Sequence, residues 1–230
     1  MEPTPFWKKL ITLNYRIGQI SMIDSSSDSP FRFKVFNMST GIVACGAIAT
    51  HIESIKLIHQ LDITIYPLPP LLHNQPAKIA SEVDALLTSI TGMHEKFAVA
   101  YADCGTYGAL DELLKRRGIK RLGGNHCYDI FAGQQEIREI MEADPGTYFL
   151  TDFLANSFYR SVIVELGLDQ RPDLRDDYFR HYNRIIWLAQ KPTPELELSA
   201  RAAATLISLP LEIRIVGESG LANELLELLK

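Results

Sequence analysis

A chain of 230 residues, 47% hydrophobic and 22% charged, carries enough apolar material for a sizeable core, which excludes disorder throughout. The net charge of −5 argues against a broad nucleic-acid surface, and no apolar run approaches the roughly 18 residues of a membrane-spanning helix. Three cysteines are too few for a disulfide scaffold and, with no export signal, point to the cytoplasm.

Residues 1–40 read as a loosely held extension. Their stretch Asp24-Ser25-Ser26-Ser27-Asp28-Ser29-Pro30 is small, polar and turn-forming. From 41 to 230 the pattern is that of a single α/β domain. Ile42-Val43-Ala44 is an apolar strand that stops at Cys45-Gly46, and Ile48, Ile52, Ile55 and Ile58 recur at helical spacing. Leu61 to Tyr66 alternates as a strand, which Pro67, Pro69 and Pro70 are expected to end. Ala77 to Ile90 is an amphipathic helix, Phe97 to Tyr101 a strand, and Ala109 to Arg117 a helix stopped by Gly118.

Ile119 to Leu122 is a short strand, followed by a loop from Gly123 to Tyr128. Gln134 to Ala143 is a helix, Thr147 to Leu150 a strand, and Leu154 to Tyr182 a helical region broken near Gly167 and Pro172. Strands follow at Arg184–Ala189 and Leu211–Val216, with helices at Pro194–Leu206 and Leu221–Lys230. Strands alternating with helices predict a Rossmann-like α/β fold, a mainly parallel sheet with helices on both faces.

In such sheets ligands bind beyond the carboxyl ends of the strands. All three cysteines stand at such places, in Ala44-Cys45-Gly46, Asp103-Cys104-Gly105 and Asn125-His126-Cys127. Three thiolates, with His126, suit zinc or an iron–sulfur cluster that leaves one position open. A helix N-terminus beside Cys45 or Cys104 would instead lower the thiol pKa and make a nucleophile. The loop Cys104-Gly105-Thr106-Tyr107-Gly108 opens a helix, so Gly105, Thr106 and Gly108 are candidate anion binders, or simply form a tight turn. Asp103, His73 and Asp152 are candidates for second-shell or binding roles, with Asp152 alternatively a helix cap. His51, His59, His94 and His181 read as structural or solvated.

Several motifs together resemble the DUF1638 family. They are Ala44-Cys45-Gly46-Ala47, Leu71-Leu72-His73-Asn74-Gln75-Pro76, Tyr101-Ala102-Asp103-Cys104-Gly105-Thr106, His126-Cys127-Tyr128, Pro145 to Phe153, and Leu174 to Phe179. The resemblance covers about Thr40 to Gly220 in order. Family members are often encoded near corrinoid-dependent methyltransferases, which implies a role in one-carbon transfer, with a corrinoid held by a partner protein. The layout of three cysteines on three α/β segments is also similar to quinolinate synthase and diphthamide synthase, whose other motifs are absent.

The leading expectation is therefore a metal- or iron–sulfur-binding protein acting in, or supporting, corrinoid-linked methyl transfer. Cys45, Cys104, Cys127 and His126 would bind the metal. Two rivals stand beside it: a metal-free enzyme with a cysteine nucleophile acting on a small anionic substrate, and a non-catalytic partner of a corrinoid methyltransferase system. The expected partners are a small-molecule substrate or a corrinoid protein, with no nucleic acid and no membrane.

Overall fold

The computed structural model describes residues 39–230, so the expected N-terminal extension lies outside the described residues. The first half is built as β1 (Thr40–Cys45), α1 (Ala49–His59), β2 (Ile63–Leu68), a 3₁₀ turn (Pro70–Asn74), α2 (Pro76–Ser89), β3 (Lys96–Ala100), α3 (Ala109–Arg117) and β4 (Lys120–Arg121). The second half continues with α4 (Cys127–Ala132), α5 (Gln134–Ala143), β5 (Thr147–Leu150), α6 (Asp152–Phe158) and a π-helical turn (Tyr159–Val164). It closes with a 3₁₀ turn (Pro172–Leu174), α7 (Arg175–Phe179), β6 (Arg184–Ala189), α8 (Pro194–Ile207), β7 (Leu211–Ile215) and α9 (Ser219–Leu228).

The expected parallel α/β architecture is present, with its strands divided between two sheets. One has the order β2-β1-β3-β4 and the other β5-β6-β7, and every strand pair is parallel. Helices cover the central strands, so Ile42, Val43 and Ala44 of β1 and Ile185, Ile186, Leu188 and Ala189 of β6 are fully buried. That is why these strands read as continuous apolar runs rather than alternating ones. The core of the second half gathers around Trp187, Phe158, Phe179 and Ala200.

Two sequence expectations are corrected. β2 runs through Pro67 to Leu68 instead of ending before it. Because β2 lies at the sheet edge, the missing proline N–H costs no ladder bond there. The loop expected over Gly123–Tyr128 ends early, since Cys127 already opens α4. The helical region expected after β5 is present, as a short α-helix that widens into a π-turn, where Asn74 Nδ2 donates to the Ser161 carbonyl across to the Pro70–Asn74 turn.

Asp152 acts in the second sheet rather than as a helix cap. Thr151 takes the cap, its hydroxyl accepting from Leu154 N, while the buried Asp152 carboxylate ties β5 to the end of β6. Its Oδ1 accepts from Trp187 Nε1 (3.0 Å) and Gln190 N (3.1 Å), and its Oδ2 accepts from Lys191 N (2.7 Å). Removing the carboxylate strands three donors at once, two of them buried. Asp152→Ala is expected to lose about 3 kcal/mol of stability, measured as a shift in urea midpoint; an unchanged midpoint would contradict this role.

Candidate functional site

In the first sheet the chain leaves β1 towards β2 on one side and reaches β3 on the other. The crevice outside the carboxyl ends of β1 and β3 is thus a topological switch point, the usual ligand position in such sheets. Cys45 is the last residue of β1, one position beyond the paired Ala44 and Ala100. Cys104 follows β3, and Cys127 follows β4, the next strand over.

All three thiols line one cavity of about 310 Å³, together with His73, His126, Tyr128, Phe149 and Thr151. The first sheet supplies the cysteines, and β5 with its following turn supplies Phe149, Thr151 and Phe153. All three cysteines are free; Cys45 is buried and the other two are half-buried.

Backbone devices hold these loops in place. Cys104 N donates to the Asn125 carbonyl (2.7 Å) and Asp103 N to the Gly124 carbonyl (3.2 Å), which join the Cys104 loop to the Cys127 loop. Asp129 is buried, and its Oδ2 accepts from Asn125 N (2.8 Å) and His126 N (3.0 Å), fixing the entry to α4. Arg121 grips Asp111 of α3 through two nitrogens and donates to the carbonyls of Leu122 and Gly124. Gly46 lets the turn after Cys45 pass against β2: a Cβ there would stand 2.3 Å from the Leu68 carbonyl oxygen.

The glycine loop takes a conformation that amino acids with side chains rarely adopt. Cys104 (φ 48°), Gly105 (φ 81°), Tyr107 (φ 51°) and Gly108 (φ 86°) all lie in the left-handed region. Its amides do gather an anion, but the chain supplies it. Asp103 accepts from Gly105 N, Tyr107 N and Gly108 N and from the Thr106 hydroxyl (2.6 Å). The amides of Gly105 and Gly108 and the Thr106 hydroxyl are thus engaged by Asp103, which closes the tight turn that presents Cys104. Gly105 alone of these three also lines the cavity, and Asp152 does not reach it.

Burial pushes the Cys45 thiol up, while the amides of Ala47 and Ile48 and the hydroxyl of Tyr101 act in favour of its thiolate. Burial also raises Cys104, and negative charge on Cys127 or Cys45 raises it further, with Arg121 opposing weakly. Burial and then Cys45 push Cys127 up to about 12, against the amides of Tyr128 and of Cys127 itself. The lowered thiol pKa expected from helix N-termini is therefore reversed by desolvation and crowding.

Burial lowers His73, keeping its ring neutral, and the Pro70 carbonyl engages it. His126 is exposed at the cavity rim and stacks on Tyr128 (centroids 4.6 Å, 8°), which stacks in turn on Phe149 (5.0 Å). Tyr101 is fully buried, and its hydroxyl makes no regular hydrogen bond; the groups acting on it are the sulfurs of Cys45, Cys104 and Cys127.

The sequence reading found the three cysteines, His73 and His126. It missed Tyr101, whose apolar strand context hides the hydroxyl, and Asp129, whose capping pattern is masked because a histidine stands at the cap. Two other histidines are held in place by side-chain partners: His51 meets Glu218 at 2.7 Å, and His94 lies between Ser39 and Tyr66. A larger cleft of about 580 Å³ beside Gly123, Arg214 and Gly220 contains no cysteine.

Together these features define a parallel α/β protein with a thiol-lined cavity at its switch point. A family described as "Protein of unknown function (DUF1638)" matches residues 67–226, and the chain belongs to that family. Cys104, Cys127, His73 and His126 fall inside the matched stretch, and Cys45 precedes it. No curated protein and no solved structure matches the chain.

Two outcomes follow from the site. In metal-free native protein at pH 8, a thiol with a pKa of about 12 is ionised in roughly one molecule in ten thousand. Alkylation of Cys127 by iodoacetamide is therefore expected to run at least about 100-fold slower than in the urea-unfolded chain, and comparable rates would contradict the burial. Asp103 is raised by desolvation, but Thr106 and the amides of Gly108, Tyr107 and Gly105 outweigh this and hold it below the ordinary 3.8. Its stabilising effect is full above that value and lost as pH falls through the lower folded value. Asp103→Asn should flatten this part of the acid limb of the stability curve, read by urea denaturation between pH 6 and 2.

Proposed function

We propose that the protein binds a soft metal centre, zinc or an iron–sulfur cluster, through Cys45, Cys104 and Cys127, and acts in or supports one-carbon transfer. The observation that carries this reading is the convergence of all three cysteines on one cavity at the switch point. Three thiolates crowded in a desolvated cavity repel one another, and a bound cation reverses that penalty.

The donor set fits such a centre in three respects. The ligands are soft sulfur, which selects zinc or iron–sulfur chemistry. Amides of Ala47, Ile48 and Tyr128 act on the sulfurs, as is favourable for metal-bound thiolates. The Tyr101 hydroxyl, buried without a regular partner, gains an electron-rich acceptor when the neighbouring thiols ionise. Among the described residues no three His, Cys, Asp or Glu are grouped to hold one ion as they stand. Binding therefore entails loss of the thiol protons and rotation of the cysteine side chains.

When bound, the centre supplies an open coordination position that activates a thiol, water or substrate. The chain's own residues do the remaining work. Phe149, Phe153 and Leu154 exclude water from one side, neutral His73 offers a proton acceptor beside the thiols, and Thr151 places a hydroxyl on the cavity wall. The one-carbon assignment rests on the family resemblance, with any corrinoid carried by a partner protein.

The test is anaerobic purification with metal and sulfide analysis and an absorption spectrum, on the wild type and on Cys45→Ser, Cys104→Ser and Cys127→Ser. The reading expects stoichiometric zinc, or iron with sulfide and visible absorption, and a loss of about tenfold or more in metal affinity in each variant. Wild-type protein that takes up neither metal after reconstitution, or variants that all retain it, would refute the reading.

A further inference from the structure

A second cleft of about 630 Å³ lies beside the cysteine cavity. The two share His73, Tyr128, Phe149 and Leu154 as a common wall, which stands between the cleft and the thiols. Both volumes lie in the range of small-molecule pockets. The cleft runs between the Pro70–Asn74 turn and the π-turn, which Asn74 fastens together through the Ser161 carbonyl (3.3 Å). π-turns of this kind recur at functional sites.

The charge along this path has one sign. No Lys or Arg among the described residues lines either cavity; the one carboxylate is Glu165, exposed at the cleft rim. Arg121, the cation that acts on Cys104, is committed to Asp111 and to two carbonyls. A carboxylate or phosphate entering the cleft would lose water and find no unpaired cation in its lining; Arg184, which donates to Thr147 on the cleft wall, is paired with Asp144 and Glu212. A cation would meet the Glu165 carboxylate and an aromatic wall of Tyr148, Tyr182, Phe149 and Tyr128, the last already stacked on His126 and Phe149.

We infer that the cleft binds an organic cation with an apolar body, its charged end directed along the wall that the two cavities share. This names the substrate class for the thiol site and rests on the preceding proposal only for what happens to the ligand afterwards. The binding itself requires no metal. It also turns away from the small anionic substrate considered from sequence.

The experiment is calorimetric titration of the full chain, metal-free and metal-loaded, with three probes of similar shape: phenethylammonium, 2-phenylethanol and 3-phenylpropionate. The ammonium probe should bind about tenfold or more tightly than the carboxylate, with the alcohol between them. Leu166→Trp, which fills the cleft away from the cysteines, should weaken the ammonium probe about tenfold and leave metal content unchanged. Glu165→Gln should weaken it about two- to fivefold and reduce its salt dependence.

Carboxylate binding equal to or tighter than ammonium, no binding by any probe, or ammonium binding untouched by Leu166→Trp would each overturn the inference. A protein that binds the ammonium probe but no metal would refute the metal centre alone. One that binds metal but not the probe would refute the cleft alone.

Discussion

The removal of water from three thiols gathered in one cavity is the constraint on which the chemistry of this half of the molecule depends. Cys45, Cys104 and Cys127 stand at the ends of three adjacent parallel strands, where neighbouring loops emerge on one edge. A parallel sheet places them there without any local sequence motif. Their shared cavity removes water from the thiols, and each negative charge formed raises the cost of the next. Behind the thiols stands the buried Tyr101 phenol, whose hydroxyl has no regular hydrogen-bond partner.

The surrounding polypeptide has invested in the placement of the sulfurs. Cys104 itself holds a positive φ, and its loop is sustained by four hydrogen bonds to Asp103. Asp129 performs the matching service for the backbone before Cys127, and Gly46 for the turn after Cys45. Backbone strain of this kind persists where the neighbouring structure over-determines it, and it collects at functional positions. The carboxylates of Asp103 and Asp152 each accept several hydrogen bonds that hold a loop or a strand end in place. The groups left free to face the cavity are sulfur, imidazole, hydroxyl and aromatic rings.

Much of the fold was legible because buried parallel strands and amphipathic helices leave strong periodic signals. The spans Ala109–Arg117, Gln134–Ala143, Thr147–Leu150 and Arg184–Ala189 are read directly from pattern and punctuation. Pro67 misled because proline reports a missing donor but not whether the strand lies at an edge. The short helix from Cys127 escaped because six residues carry too little periodicity and its cap is a histidine. The division into two sheets was illegible, since strand order is a property of long-range pairing. At the site, the cysteines were legible as strand-end residues. The neutralisation of the glycine loop by Asp103, the buried phenol of Tyr101 and the second cleft all depend on three-dimensional contacts that spacing does not encode.

The most direct measurement of the central claim is X-ray absorption at the metal edge of anaerobically reconstituted protein, compared with its three single Cys→Ser variants. The account predicts a sulfur shell at about 2.3 Å that diminishes whichever cysteine is replaced. A shell of oxygen and nitrogen alone, or a sulfur shell indifferent to all three replacements, would contradict it.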